Sequence, residues 1–410
     1  MKSANEICER YSAGVLVEDI GSQKTMTLSD PSPRNKTNLS VQLRWNIEQK
    51  IINHRNMQAI FPSRTIAAGG KPYPLPRHEN IAFTYRVGDV TYDADDFFER
   101  SMTSGLLVIK NGGIVFERYG NGYSDRSVGE SRSMAKSMTS VMLGLALKDG
   151  YIKALDDFVE TYVPELKDTR WGKISLRHLA QGLSGVPFGE LYDDPTSDIY
   201  QLLECVSEDR PGTLVPFLKY VGSRPAEEIQ PGSRFRYSSA DSTLMAIVVE
   251  RASEKQFSSY LSDRVWKPFG MECDGYWIVE NADGFTYGES GFGATLRDYA
   301  RMGLYLLRDG VLADGTKTLP DGYMSEATTA SRPSICAKRP YGYYWWLHHW
   351  QADTAAEHMH GADGTYYARG NSGQLVMINP SEDLVVVKWG VKDDSSETNT
   401  VFRSIVEHLH

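Results

Sequence analysis

The chain has 410 residues, 41% of them hydrophobic and 11% aromatic, which suits a large globular core in two lobes and excludes a disordered protein. A formal net charge of −9 without any Lys/Arg-rich block excludes the electrostatic footprint of a nucleic-acid binder. The apolar windows SVMLGLAL and TLMAIVVE are too short to cross a bilayer, and the N-terminus has no apolar signal-peptide core.

The four cysteines (Cys8, Cys205, Cys273, Cys336) are scattered and read as reduced thiols of a cytoplasmic protein. Residues 1–100 are polar and turn-rich, with an early helix expected near 41–55. A hairpin follows: LLVIK (106–110), the turn Asn111-Gly112-Gly113 and IVFERY (114–119). From 135 to 270 the patterns are mostly helical, over 134–149, 176–181, 198–206, 214–221, 240–253 and 256–265. Another helix spans 294–310 and stops at Gly310. YGYYWW (341–346) reads as a strand with a core face. A second hairpin, 374–380 and 384–390, and a helix over 395–409 close the chain.

Strands at both ends of the core and helices between them imply an α/β (α+β) fold, an antiparallel sheet flanked by helices plus a mainly helical lobe. The expected division is 1–100 as an N-terminal extension with the first elements of the α/β lobe, 101–150 with 275–410 as that lobe, and 151–274 as the helical lobe.

Chemistry concentrates in SRSMAKSMTS (131–140). Residues i and i+3 share a helix face, so Ser133 and Lys136 meet if a helix starts at Ser133. Free N–H groups and the positive dipole end there favour an oxyanion beside the serine. The segment after it is apolar almost all round, so burial should lower the Lys136 pKa and let a neutral amine take the Ser133 proton. The bland alternative is a serine N-cap followed by an ordinary lysine. Tyr237, at a loop-to-helix junction in PGSRFRYSSA, is either a proton relay or a packed core residue.

SMAK followed by PG-x-x-F-x-Y-S-S resembles the serine hydrolases of the β-lactamase/penicillin-binding-protein fold, in their class C and esterase branch. YIKALDDFVETYVPEL (151–166), GESGFGATLRDYARMGLYLLRDG (288–310), YGYYWW and GNSGQLVMINPSEDLVVVKW (370–389) extend the likeness over roughly 100–408. Within that superfamily the chain is similar to 6-aminohexanoate-dimer hydrolases and related carboxylesterases. The resemblance implies Ser133 as the acyl-accepting nucleophile, with Lys136 and Tyr237 managing its proton. It implies backbone N–H groups of Ser133 and Asn371 as the oxyanion hole. The family's third motif, Lys-Thr-Gly or His-x-Gly, falls on Ala368-Arg369-Gly370, which keeps the glycine and lacks the leading cation. Tyr192, in YDDP, falls where the family places a tyrosine over the cleft; Ser239, Gly370 and Trp345 complete the expected substrate contacts.

The reaction implied is cleavage of a small ester or amide through an acyl-enzyme, by a monomer or homodimer, without cofactor or metal. His348-His349 and Glu357-His358-Met359-His360 lack zinc-binding spacing and read as a polar loop. Gly288-Glu289-Ser290-Gly291 lacks the last glycine of a nucleophile elbow. An acyltransferase, a β-lactamase or D-amino-acid peptidase, and a non-catalytic binding protein of the same fold are the alternatives.

Overall fold

A computed structural model describes residues 37–208, 212–347 and 364–409. Cys8, the histidines at 348, 349, 358 and 360, Glu357 and Trp350 lie outside the described residues. The early helix is split into a tight turn over Leu39–Arg44 and a helix over Ile47–Asn53, because Asn46 caps the second piece through a reciprocal bond with Gln49.

Eleven strands occur among the described residues: β1 (Ser63–Ile66), β2 (Tyr85–Val87), β3 (Val90–Tyr92), β4 (Thr103–Lys110), β5 (Gly113–Tyr119), β6 (Val128–Glu130), β7 (Gly275–Ile278), β8 (Phe292–Thr295), β9 (Tyr366–Gly370), β10 (Gln374–Asn379) and β11 (Leu384–Gly390). Both expected hairpins form. Asn111 (φ 52°) and Gly112 (φ 76°) give the first the left-handed pair that a two-residue turn requires. The larger sheet runs β5-β4-β11-β10-β9, antiparallel throughout. Its central strand, β11, is buried along its whole length, so this sheet is covered on both faces. A smaller sheet, β1-β7-β8-β6, and the hairpin β2-β3 complete the strands.

Four helices place the site: α1 (Met134–Lys148), α2 (Ser239–Ser253), α3 (Leu296–Leu307) and α4 (Ser395–His408). Helix α1 is buried at every residue from Met134 to Ala146, packed between α2 and the β9–β10 edge of the sheet. Helix α3 crosses β4, β10 and β11, where Gly303 permits close approach: a Cβ there would lie 2.4 Å from Val385. The helix expected over 256–265 breaks into an α segment (Phe257–Leu261) and a wider π turn (Ser262–Trp266). Pro268, with no N–H to return to Arg264, follows that turn.

The expected strand at 341–346 is not one. Tyr344 is left-handed (φ 60°), Tyr341 bridges back to Trp346, and the Tyr343 and Tyr344 amides bond Ala327 and Ala180. Tyr341, Tyr343, Tyr344 and Trp345 are all buried, so the run has no outward face. Aromatic packing from several directions overrides the strand alternation.

Candidate active site

Ser133 stands at the start of α1 with helical φ and ψ (−63°, −2°), and its side chain makes no capping bond. The hydroxyl is therefore available, and the residue is half-buried at the wall of a cavity of about 630 Å³. The preceding residue, Arg132, holds a left-handed φ of 48°, a conformation costly for a non-glycine residue. It is clamped there by His54 at 2.7 Å, by the Gln42 side chain and by Glu130 at 3.3 Å. Ser131 is tied to β8 through Phe292 O at 2.7 Å. The N-terminal segment thus braces the turn that carries Ser133.

One helical turn on, the Lys136 Nζ donates to Ser133 Oγ at 3.0 Å. It also meets Glu289 Oε2 at 2.7 Å and Glu289 O at 3.2 Å. Here the structure corrects the expectation of a neutral lysine. Burial does push the Lys136 pKa down, but the Glu289 carboxylate, with smaller contributions from Tyr237 and Glu190, more than reverses it. Burial likewise pushes Glu289 up, and Lys136 brings it below the usual carboxylate value. The resting pair is ammonium and carboxylate. Glu289 was missed at the sequence level, where GESG drew attention only to its serine.

Tyr237 enters just before α2. Its ring stacks on Trp346 (5.6 Å, 22°) and lies 4.9 Å from the Lys136 Nζ. Burial raises its pKa, while the Lys136 charge and a Ser133 hydrogen bond pull partly the other way. The structure therefore brings Ser133, Lys136 and Tyr237 together.

Gly370, at the end of β9, faces the Ser131–Ser133 turn. A Cβ there would lie 2.4 Å from Ser131 O and 3.0 Å from Ser133 N. Only glycine fits. The next residue, Asn371, lines the same cavity as Ser133, and Ser372 continues the turn in a left-handed conformation (φ 64°).

Tyr192 lines the cavity and donates to Glu190 Oε1 at 2.7 Å. Two expected contacts are corrected. Ser239 is fully buried, bonding Glu190 through Oγ (2.7 Å) and N (2.9 Å), with its hydroxyl 3.3 Å from Glu289. Trp345 is also fully buried, edge-on to Tyr366, and its neighbour Trp346 lines the cavity in its place. Backbone reversal at Tyr344 exchanges the two faces. Glu190 is a second carboxylate the sequence reading missed: it lines the cavity, and burial raises its pKa against the opposing pull of Lys136. The third motif also differs from expectation. Although Ala368 replaces the leading cation, Arg369 lines the same cavity, donating to Asn399 Oδ1 at 2.8 Å.

Behind the site, Asp241 of α2 is fully buried and accepts from Ser184 at 3.1 Å. Burial lifts its pKa to about 7, with the Ser238 and Ser184 hydrogen bonds opposing. An unfolded aspartate titrates near ~3.9, so the folded chain holds an extra proton between the two values. Stability on this account is fullest below the lower value and falls as pH rises through that window. Asp241→Asn should therefore gain stability relative to wild type at pH 8 compared with pH 5. Urea denaturation at both pH values checks this; an equal difference at both would contradict it.

Among the described residues, no three His, Cys, Asp or Glu side chains cluster as metal ligands, and no helix is long and apolar enough to cross a membrane. Residues 94–404 match the family described as Beta-lactamase. The chain belongs to the beta-lactamase family. The 6-aminohexanoate-dimer hydrolase of Paenarthrobacter ureafaciens is 24% identical to this family member over 310 residues, covering 72% of this chain and 74% of its own. A Bacillus anthracis structure assigned as a 6-aminohexanoate-dimer hydrolase matches with a TM-score of 0.74 at 23% identity, over 93% of this chain and 98% of that one. A penicillin binding protein from Bacillus halodurans matches with a TM-score of 0.56 at 19% identity, over 77% and 99% of the respective chains. At such identities the structural likeness is one of fold. The fold is that of the β-lactamase/transpeptidase-like serine hydrolases.

Proposed function

We propose that this beta-lactamase-family protein is a serine hydrolase that cleaves an ester or amide bond through a covalent acyl-enzyme on Ser133. The observation that carries the reading is the uncapped Ser133 hydroxyl at a helix start, 3.0 Å from the Lys136 Nζ, which itself lies 4.9 Å from the Tyr237 ring. Membership of the family and the 6-aminohexanoate-dimer hydrolase relative support a hydrolase.

In the resting site both Lys136 and Tyr237 carry their protons, so the Ser133 proton needs an ionised acceptor. Glu289 is in reach. Lys136 passes a proton to Glu289 Oε2 across 2.7 Å and takes the Ser133 proton across 3.0 Å. Ser133 Oγ then bonds the substrate carbonyl carbon, and the oxyanion that forms is held by the Ser133 and Asn371 N–H groups, a contribution worth about 3 kcal/mol per donor. Tyr237 protonates the leaving alcohol or amine as the carbonyl re-forms, and Lys136 restores the Tyr237 proton. Glu289 then returns its own proton to Lys136. Water attacks the acyl-enzyme by the same path in reverse.

The test is turnover of p-nitrophenyl acetate and butyrate, with peptide mapping after a fluorophosphonate probe. Ester hydrolysis and a probe adduct on Ser133 are expected. An adduct on another residue, or no turnover and no adduct, would leave the binding-protein reading standing. Arg369 at the cavity wall favours one second reading, a substrate carrying a carboxylate beside the scissile bond, as β-lactams do. Nitrocefin in the same assay separates the two.

A further inference from the structure

The larger sheet hides a charged side chain that the proposed mechanism leaves unused. Lys388 sits in β11, the central strand, and is fully buried. Its cross-strand neighbours are Leu375 of β10 and Leu106 of β4. Its Nζ lies 5.8 Å from the Phe97 ring and donates to Gly373 O at 3.1 Å. Burial pushes its pKa down to about 8, against the opposing pull of Asp394, Asp393 and Glu397. An unfolded lysine titrates near ~10.4, so the buried charge weakens the fold. The penalty is fullest below the folded value and fades as pH rises toward the unfolded one. Stability does not explain this lysine.

Gly373 closes the turn that leaves β9 beside Ser133. Ser372 (φ 64°) and Gly373 (φ 82°) are both left-handed, and two such residues in succession, one of them not glycine, are not held by local preference. Buried side chains hold them instead. The Lys388 Nζ reaches Gly373 O so closely that a Cβ on Gly373 would lie 2.8 Å from it. Gln374, also buried, donates through Nε2 to Gly390 O at 2.5 Å and to Ser372 O at 3.4 Å. The other end of the turn is fixed where Gly370 meets Ser131 and Ser133. Asn371 lies between these two anchors and lines the cavity, whereas Lys388 is not among the residues lining it. Resting on the serine-hydrolase reading, we propose that Lys388 is a positioning residue: its Nζ anchors the Gly373 end of the turn from within the sheet and so aims the Asn371 N–H at the substrate oxyanion. Lys388 acts through the backbone and touches no substrate.

The experiment compares wild type with Lys388→Met at pH 7 by p-nitrophenyl butyrate turnover, inhibition by butylboronic acid and urea denaturation. The tetrahedral boronate adduct puts an oxygen where the oxyanion would lie. In Lys388→Met kcat should fall by about 10–100-fold, less than on outright loss of an oxyanion donor, since the N–H is displaced and not deleted. Boronate affinity should fall by a similar factor, while KM changes by less than about threefold. The variant should be as stable as wild type or more so, because a buried charge has gone. Lys388→Arg, which keeps a donor, should recover part of kcat. Gly373→Ala attacks the same contact from the turn and should repeat the kcat loss, even where Lys388→Met does not fold. Unchanged kcat in a folded Lys388→Met or in Gly373→Ala, or losses that merely follow lost stability, overturn the positioning role while leaving the hydrolase reading intact. Absence of turnover and of the Ser133 adduct in wild type sinks the hydrolase reading, and this inference with it.

Discussion

Ser133→Ala is expected to abolish ester turnover, by at least about 10⁴-fold, while leaving the fold as stable as wild type. The size follows from the role proposed for Ser133: without Oγ no acyl-enzyme could form, and only background attack by water would remain. The unchanged stability follows from a separate observation. A serine that caps a helix loses about 1 kcal/mol on replacement by alanine, because its hydroxyl satisfies a backbone N–H. Ser133 makes no such bond, in contrast to Ser238 at the start of α2, which accepts from Asp241 N at 3.2 Å. Activity and urea denaturation measured on the same preparation separate the two roles. Lost stability with retained turnover would return Ser133 to the cap reading.

Glu289→Gln is expected to be the next most damaging change, in two distinguishable ways. The Lys136 and Glu289 side chains are 2% and 6% exposed, so removing one charge strands the other in the protein interior. Breaking such a pair costs about 3–5 kcal/mol. Catalysis should also fall, by roughly 10²–10⁴-fold near neutral pH, since the acceptor of the relayed proton is gone. The signature is in the pH profile. In wild type Glu289 sits below the usual carboxylate value, so activity that depends on its ionised form is lost only as pH falls through that lowered pKa. In the glutamine variant burial acts on Lys136 with its strongest opposing charge removed, and its pKa drops. Lys136 then becomes neutral as pH rises, and the variant should regain activity on the alkaline side. Glu289→Asp should retain part of the neutral rate. A variant merely destabilised, with the wild-type profile scaled down, would remove Glu289 from the proton path.

Much of the fold was legible because local rules govern it. The hairpin around Asn111-Gly112 follows from a turn that demands left-handed residues, and the β10–β11 hairpin from two β-rich runs with a short loop between them. Helices α1 to α4 follow from apolar spacing and end signals. The smaller sheet was not legible. Its strands are three or four residues long, and β6, β7 and β8 each contain a glycine, so no alternation develops. Those glycines are explained only by what crosses them: a Cβ at Gly129 would lie 2.6 Å from the Trp389 ring, and one at Gly293 would lie 2.2 Å from Tyr276. The same holds for YGYYWW, where composition favours a strand and contacts with Ala327 and Ala180 impose a turn.

By itself the sequence determined that Ser133 and Lys136 would meet, because three residues along a helix is a local distance that helical geometry sets. It also determined that this helix would be central, because SVMLGLAL has no polar face to offer water. Only the tertiary structure decided the protonation of Lys136. Its partner Glu289 lies 153 residues away in the chain and arrives at the lysine through the packing of the β8 turn against α1. Tertiary packing likewise decided that Trp346 and not Trp345 faces the cavity, and that Gly370 closes on the Ser133 turn. Periodicity encodes neighbours within a few residues. The charge state of a buried group depends on what the rest of the chain brings within a few ångströms of it.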